Sequence, residues 1–211
     1  MSKKTVIFST LTLFLPMLCG VLLWDRLPAQ MATHFNINGT PDGYSNKAFT
    51  VFALPLFLAV VQLACVLAVS RDKKAQALNS KIKNIILWIC PVISAAVFVC
   101  IYGLALGGGF NIGAIFTALI GLEFIIIGNY MPKCRQNNVI GIRVLWTLLN
   151  ETVWNKTHRL AGKIMVACGF AVLLNSLLNI WHFGISVAII IVCAFVPVIY
   201  SAVIYPKNKK M

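Results

Sequence analysis

Side chains able to do chemistry are few in this chain of 211 residues. His34 and Asp42 share one polar segment with Asn36, Gly39 and Lys47. A His with an Asp could hold a metal ion or orient a ligand group. Two donors fall short of the three or four protein ligands of a usual metal site, so no metal is expected. Turn hydrogen bonds are the plainer use for Asn36 and Asp42. Glu151 and His158 offer an acid and a base, yet no nucleophile stands beside them. HExxH, GxSxG and paired-carboxylate motifs are all missing. The seven cysteines contain no CxxC and read as buried thiols rather than ligands. No cofactor and no enzymatic reaction is expected.

The elements that must carry these residues follow from composition. Charged residues are 11% and the apolar set is 60%, against about 25% charged in a soluble domain. Six apolar stretches, near 5–24, 49–69, 85–106, 112–131, 163–180 and 185–205, each approach the ~20 residues that cross a bilayer. The predicted fold is an all-α membrane protein, a bundle of six transmembrane helices. Lys3 and Lys4 before the first stretch suit a signal peptide, but the apolar run is too long for an h-region, so a retained helix is expected. With the N-terminus inside, every Lys and Arg except Arg26 and Lys47 falls on the inner side. That asymmetry predicts both termini in the cytoplasm of a bacterial cell. It also accounts for the net charge of +13 without nucleic-acid binding.

Two loops are too long to be connectors. One, residues 25–48, is expected outside and the other, 132–162, inside. The first alternates polar and apolar residues from Thr33 to Ile37, then carries the turn signals Asn38-Gly39 and Pro41-Asp42-Gly43. It reads as a folded hairpin or cap. In the second, Thr147 or Asn150 can cap a helix. Val153, Trp154, Thr157, Leu160, Ala161 and Ile164 then fall on one face, with Glu151, Asn155, Lys156, His158, Arg159 and Lys163 on the others. An amphipathic helix in the cytoplasmic interface is expected, running into the fifth span and offering a docking surface for a partner or lipid headgroups.

Polar residues also occur within the spans. Ionised Glu123 would cost roughly 2.5–3.5 kcal/mol at bilayer depth, so it must be protonated or face a polar partner. Gln62 lies at similar depth, and Asn175 and Asn179 share a helix face. These groups predict either an interior seam responsive to ligand or protons, or interhelical hydrogen-bond glue.

Two runs of residues carry a resemblance. Leu27-Pro28, His34-Phe35-Asn36, Gly39, Pro41-Asp42-Gly43-Tyr44 and Lys47 make up the first. The second holds Gly128-Asn129, Pro132, Asn137, Gly141-Ile142-Arg143, Trp146-Thr147-Leu148, Asn150-Glu151, Val153-Trp154, Lys156-Thr157-His158-Arg159 and Gly162-Lys163. The second run resembles the core signature of the SdpI family of bacterial toxin-immunity membrane proteins. The first is similar to an N-terminal module that often accompanies it. Val144-Leu145 departs from the Thr-Pro expected in most members. The resemblance implies a two-helix module over 1–70 and a four-helix core over 71–211. It implies self-protection against a secreted membrane-active peptide toxin, and a possible relay of toxin presence to a cytoplasmic DNA-binding repressor. The implied toxin-recognition residues are His34, Asn36, Gly39, Asp42 and Lys47. The implied partner-docking residues are Asn129, Asn137, Gly141, Arg143, Trp146, Trp154, Thr157, His158 and Arg159. A small transporter or exporter and an envelope-stress sensor are the alternatives.

Overall fold

The computed structural model describes residues 1–36, 39–178 and 182–205. Asn179 and Trp181 lie outside them. Six helices are long and apolar enough to cross a membrane: Lys3–Leu22, Phe49–Arg71, Ser80–Ala105, Ile112–Lys133, Glu151–Leu178 and Gly184–Ile204. The chain is a multi-pass helical membrane protein, as expected, with one small sheet added by the first long loop. It divides into two compact units, Met1–Leu67 with Lys83–Phe116, and Ala68–Ile82 with Thr117–Met211.

In the first unit the leading span is two helices, α1 (Lys3–Thr12) and α2 (Leu15–Leu22). Sequence predicts one. Pro16, near the start of α2, has no N–H to continue the ladder. The chain tightens there, with Leu13 N–H bonded to Thr10 O and Phe14 N–H to Leu11 O. Strands β1 (Gln30–Phe35) and β2 (Pro41–Asn46) pair antiparallel. A wide π turn, Phe49–Ala53, leads into α3 (Leu54–Arg71), and Pro55 just beyond it removes a helical donor. Helix α5 (Ser80–Ala105) contains Pro91, which cannot donate to Leu87 O. Gln62 Nε2 supplies that carbonyl instead, at 2.8 Å. Leu27, Met31, Val51, Phe98, Ile101 and Tyr102 form the core.

The second unit holds the short helix α4 (Lys73–Gln76), most of α6 (Ile112–Tyr130), α7 (Leu145–Leu149), α8 (Glu151–Leu178) and α9 (His182–Ile204). Helices α6 and α8 approach closely at paired glycines. A Cβ on Gly121 would meet Gly169 O at 2.9 Å, and one on Gly128 would meet Gly162 O at 2.9 Å. Close backbone approach of this kind is how membrane helices gain packing without a hydrophobic drive between them.

Helix α8 runs into the fifth span as expected, one helix of 28 residues, about 42 Å long at ~1.5 Å per residue, but its setting corrects an expectation. Hydrocarbon is only ~30 Å thick, so part of the helix stands clear of it. Its apolar stripe does not lie on lipid. Trp154 is 0% exposed, and Val153, Thr157 and Ala161 are buried with it. His158, predicted on a polar face, joins this buried stripe. The side chain is an imidazole whose two nitrogens both find partners, and polarity alone misassigns its face.

Candidate functional site

The hairpin β1–β2 is built by its turn and its anchors. Gly39, at φ +77, closes the turn. Its N–H donates to Asn36 O at 2.8 Å, and Asn36 Oδ1 accepts from Thr40 N–H at 3.1 Å. One face points inward through Met31, 1% exposed. The opposite face presents His34 and Asp42 with Tyr44. His34 Nδ1 donates to Asp42 Oδ1 at 2.6 Å, and the two side chains are 74% and 42% exposed. Both side chains remain accessible at the surface. Lys47 is engaged differently. Its Nζ donates to Trp24 O at 2.9 Å and Leu27 O at 3.0 Å and lies over the Trp24 ring. That charge clamps the hairpin to the short turn Trp24–Arg26 that follows α2.

The second constellation lies over residues 134–158. Asn137 is buried, and its side chain works as a turn of backbone. Nδ2 donates to Arg135 O at 2.8 Å and Ile140 O at 3.1 Å, while Oδ1 accepts from the N–H groups of Val139 and Ile140. Trp154 Nε1 donates to Cys134 O at 2.7 Å. Burial pushes the Cys134 thiol up, against the opposing hydrogen bond from Asn137, so it stays a thiol and packs. His158 stacks on Trp154 with centroids 4.0 Å apart. Its Nδ1 donates to Trp154 O at 2.9 Å, so Nε2 is left to accept from Ile142 N–H at 3.1 Å. Gly141, at φ +112, passes so close to Nε2 that a Cβ there would lie 2.3 Å from it. Thr147 Oγ1 donates to Ile142 O and takes Val144 N–H, closing the segment onto α7. Asn150 Oδ1 caps α8 through Val153 N–H. Trp146 Nε1 reaches Ser201 Oγ at 2.6 Å, tying α7 to α9.

The structure therefore brings Asn137, Gly141, Trp154 and His158 into one buried lock. Arg143 lies at its edge, donating to Asn138 O at 2.6 Å, and Asn138 Nδ2 donates to Asp72 Oδ2 at 2.8 Å. Asn129 and Arg159 are exposed, outside the lock. Thr157 is buried, with Oγ1 meeting no protein partner among the described residues. Sequence reasoning missed Asp72, while Cys134 is a buried thiol as expected. Asp72 carried a signal, an Asp ahead of a short polar helix, which suits an N-cap. Its Oδ1 accepts from Ala75 N–H, and this bond with that of Asn138 holds the carboxyl below its usual range.

The polar residues within spans separate. Gln62 is consumed by Leu87 O and Ser9 Oγ. Glu123 Oε1 is buried, and neither it nor either side-chain polar atom of Asn175 bonds to a described residue. No group of three or more His, Cys, Asp or Glu among the described residues could hold a metal ion.

Residues 133–201 match the SdpI/YfhL protein family, and residues 11–59 match a domain of unknown function, DUF1648. The chain is 30% identical over 171 residues to the immunity protein SdpI of Bacillus subtilis (strain 168), covering 81% of this chain and 80% of that relative. No solved structure matches.

Proposed function

The chain belongs to the SdpI/YfhL protein family, and from that membership we propose that it is an immunity protein of the bacterial cell membrane. It protects its host against a secreted membrane-active peptide toxin. The observation that carries this reading is the 30% identity to an immunity protein across four-fifths of both chains. The two matches fall on either side of residue 70, which supports a two-helix module over 1–70 and a four-helix core over 71–211. In this reading the hairpin lies outside, and the exposed face with His34 and Asp42 meets the peptide. Asn36 and Gly39 shape that face, and Lys47 holds it in place. The lock of Asn137, Gly141, Trp154 and His158 lies inside and is a rigid platform rather than a ligand pocket. Asn129, Arg143 and Arg159 are then the groups at its edge able to meet a cytoplasmic partner, such as a DNA-binding repressor. No reaction is assigned to the chain.

The test is survival. A toxin-sensitive Gram-positive host expressing the chain is challenged with the peptide, with His34→Ala and Arg143→Ala at matched membrane levels. Wild type should raise the tolerated toxin concentration. His34→Ala should lower it about tenfold, the loss of one charge-assisted contact, while Arg143→Ala should retain it. Absence of protection at verified expression would overturn the reading. Transport is the second reading, favoured by the buried, unpartnered Glu123 oxygen. Counterflow of a labelled solute in proteoliposomes that depends on Glu123 would establish it.

A further inference from the structure

We propose that the short helix α7 and the cations gathered around Asn138 form a docking surface for anionic phospholipid headgroups, with Leu145 and Leu149 seated at the edge of the hydrocarbon. The proposal goes beyond the immunity reading and does not depend on it.

Depth comes first. Trp146 Nε1 is bonded to Ser201 Oγ, and Ser201 lies just before the end of α9 at Ile204, about 4.5 Å along the helix axis. Helix α7 is therefore level with the end of a spanning helix, where hydrocarbon gives way to headgroups. Its residues divide into two sides. Thr147 is buried, and its hydroxyl closes the preceding loop. Leu145 and Leu149 share the other side, at i and i+4, and are 69% and 66% exposed. Leucines bared to water lose the gain of apolar burial, whereas at this level the edge of the bilayer covers them. The charge bias that sets orientation accounts for lysines and arginines in a loop, but not for this pair of exposed leucines.

Charge then selects the headgroup. Arg143 stands just ahead of α7 and is exposed. Its Nη1 donates to Asn138 O, and Asn138 Nδ2 donates to Asp72 Oδ2. Asp72 directly precedes Lys73 and Lys74, both exposed. Asn138 thus brings Arg143, Lys73 and Lys74 to one edge. Asp72 is the acid on that edge, and both its oxygens are engaged, by Ala75 N–H and by Asn138. Helix α4 follows directly on the end of α3, so its lysines also stand at the end of a span. A guanidinium fork matches phosphate oxygens, and lysines add point charge. A zwitterionic headgroup offsets its phosphate with its own ammonium, so the surface prefers phosphatidylglycerol to phosphatidylcholine.

The test places the purified full chain in lipid nanodiscs, whose two faces are both open to solution. An environment-sensitive fluorescent amino acid replaces Leu149. The discs hold phosphatidylcholine and phosphatidylglycerol, one of them spin-labelled high on its acyl chain. The labelled lipid should quench the emission, and a neutral, water-soluble paramagnetic quencher should not. Labelled phosphatidylglycerol should quench more strongly than labelled phosphatidylcholine at equal content, and the difference should fade as salt rises. Arg143→Gln should cut the preference about fivefold, the worth of one cation at a membrane surface. Quenching from water alone would overturn the proposal and leave this face to a cytoplasmic protein. Equal quenching by the two labelled lipids would overturn it as well. The chain with Arg143 intact carries the comparison even where the variant fails to fold. No toxin is present, so the outcome is separate from that of the immunity reading.

Discussion

At Gly141 the backbone turns through φ +112, and a Cβ placed there would lie 2.3 Å from His158 Nε2. The imidazole cannot retreat, because Trp154 stacks on one face and Nδ1 is bonded to Trp154 O. Gly141→Ala therefore meets both a strained backbone and a closed space. It should cost about 1–3 kcal/mol in backbone strain alone, lowering Tm by several degrees in a fixed detergent. Gly109→Ala is the matched control, since a Cβ there meets nothing within 4 Å and its φ is not in the left-handed range. Equal losses in the two variants would remove the lock from the account. His158 also marks what residue type cannot convey. A pattern count assigns a His to the wet side of a helix, and the partners that reverse this, Ile142 and Trp154, depend on how a loop sixteen residues away folds back.

Elements obey their local chemistry most visibly where a proline interrupts one. Pro91 leaves Leu87 O without its helical donor, and Gln62 fills the gap from α3. Gln62→Leu should cost about 1–3 kcal/mol by baring that carbonyl. Adding Pro91→Ala should recover most of the loss, because residue 91 then donates to Leu87 O itself. Strictly additive effects of the two changes on thermal unfolding would count against the pairing. A second device joins α4 to the loop after α6. The folded state favours ionised Asp72, so its bonds to Ala75 N–H and Asn138 are fully present above the ordinary value of 3.8 and fade as pH falls through the lowered midpoint. The Ala75 amide resonance should titrate with a midpoint below 3.8, and Asp72→Asn should abolish the titration. Much of this level is legible in sequence. Spans follow from apolar length, the hairpin from Asn38-Gly39 and Pro41-Asp42-Gly43, and the α8 cap from Asn150. The division of the first span at Pro16 is not, since a membrane helix can keep or break its ladder at a proline according to its neighbours. Nor is the burial of the α8 stripe, because Trp154 reads alike against lipid and against a loop.

For the whole molecule the undecided quantity is direction, and the lysines and arginines argue for one. With the N-terminus inside, only Arg26 and Lys47 are on the outer side. Reversing the chain would carry nearly all the positive charge across the membrane, against the bias that sets orientation during insertion. Alkaline phosphatase joined after Ala48 or Gly109 should therefore be active, and green fluorescent protein joined after Gln76 or Asn138 should fluoresce. The reverse pattern would put the His34–Asp42 face in the cytoplasm and the Asn137–His158 lock outside, and recognition of a secreted peptide by the hairpin would fail with it. The expected pattern has a mechanical consequence. The hairpin is clamped to the turn that follows α2, and the lock to α8 and α9 through Trp154 and Trp146. Each site is then fixed to spanning helices of its own unit. Tolerance of toxin in cells carrying Gly141→Ala, at matched expression, should stay near wild type if recognition is confined to the outer side. A loss as large as that of His34→Ala would mean that the lock takes part in protection itself.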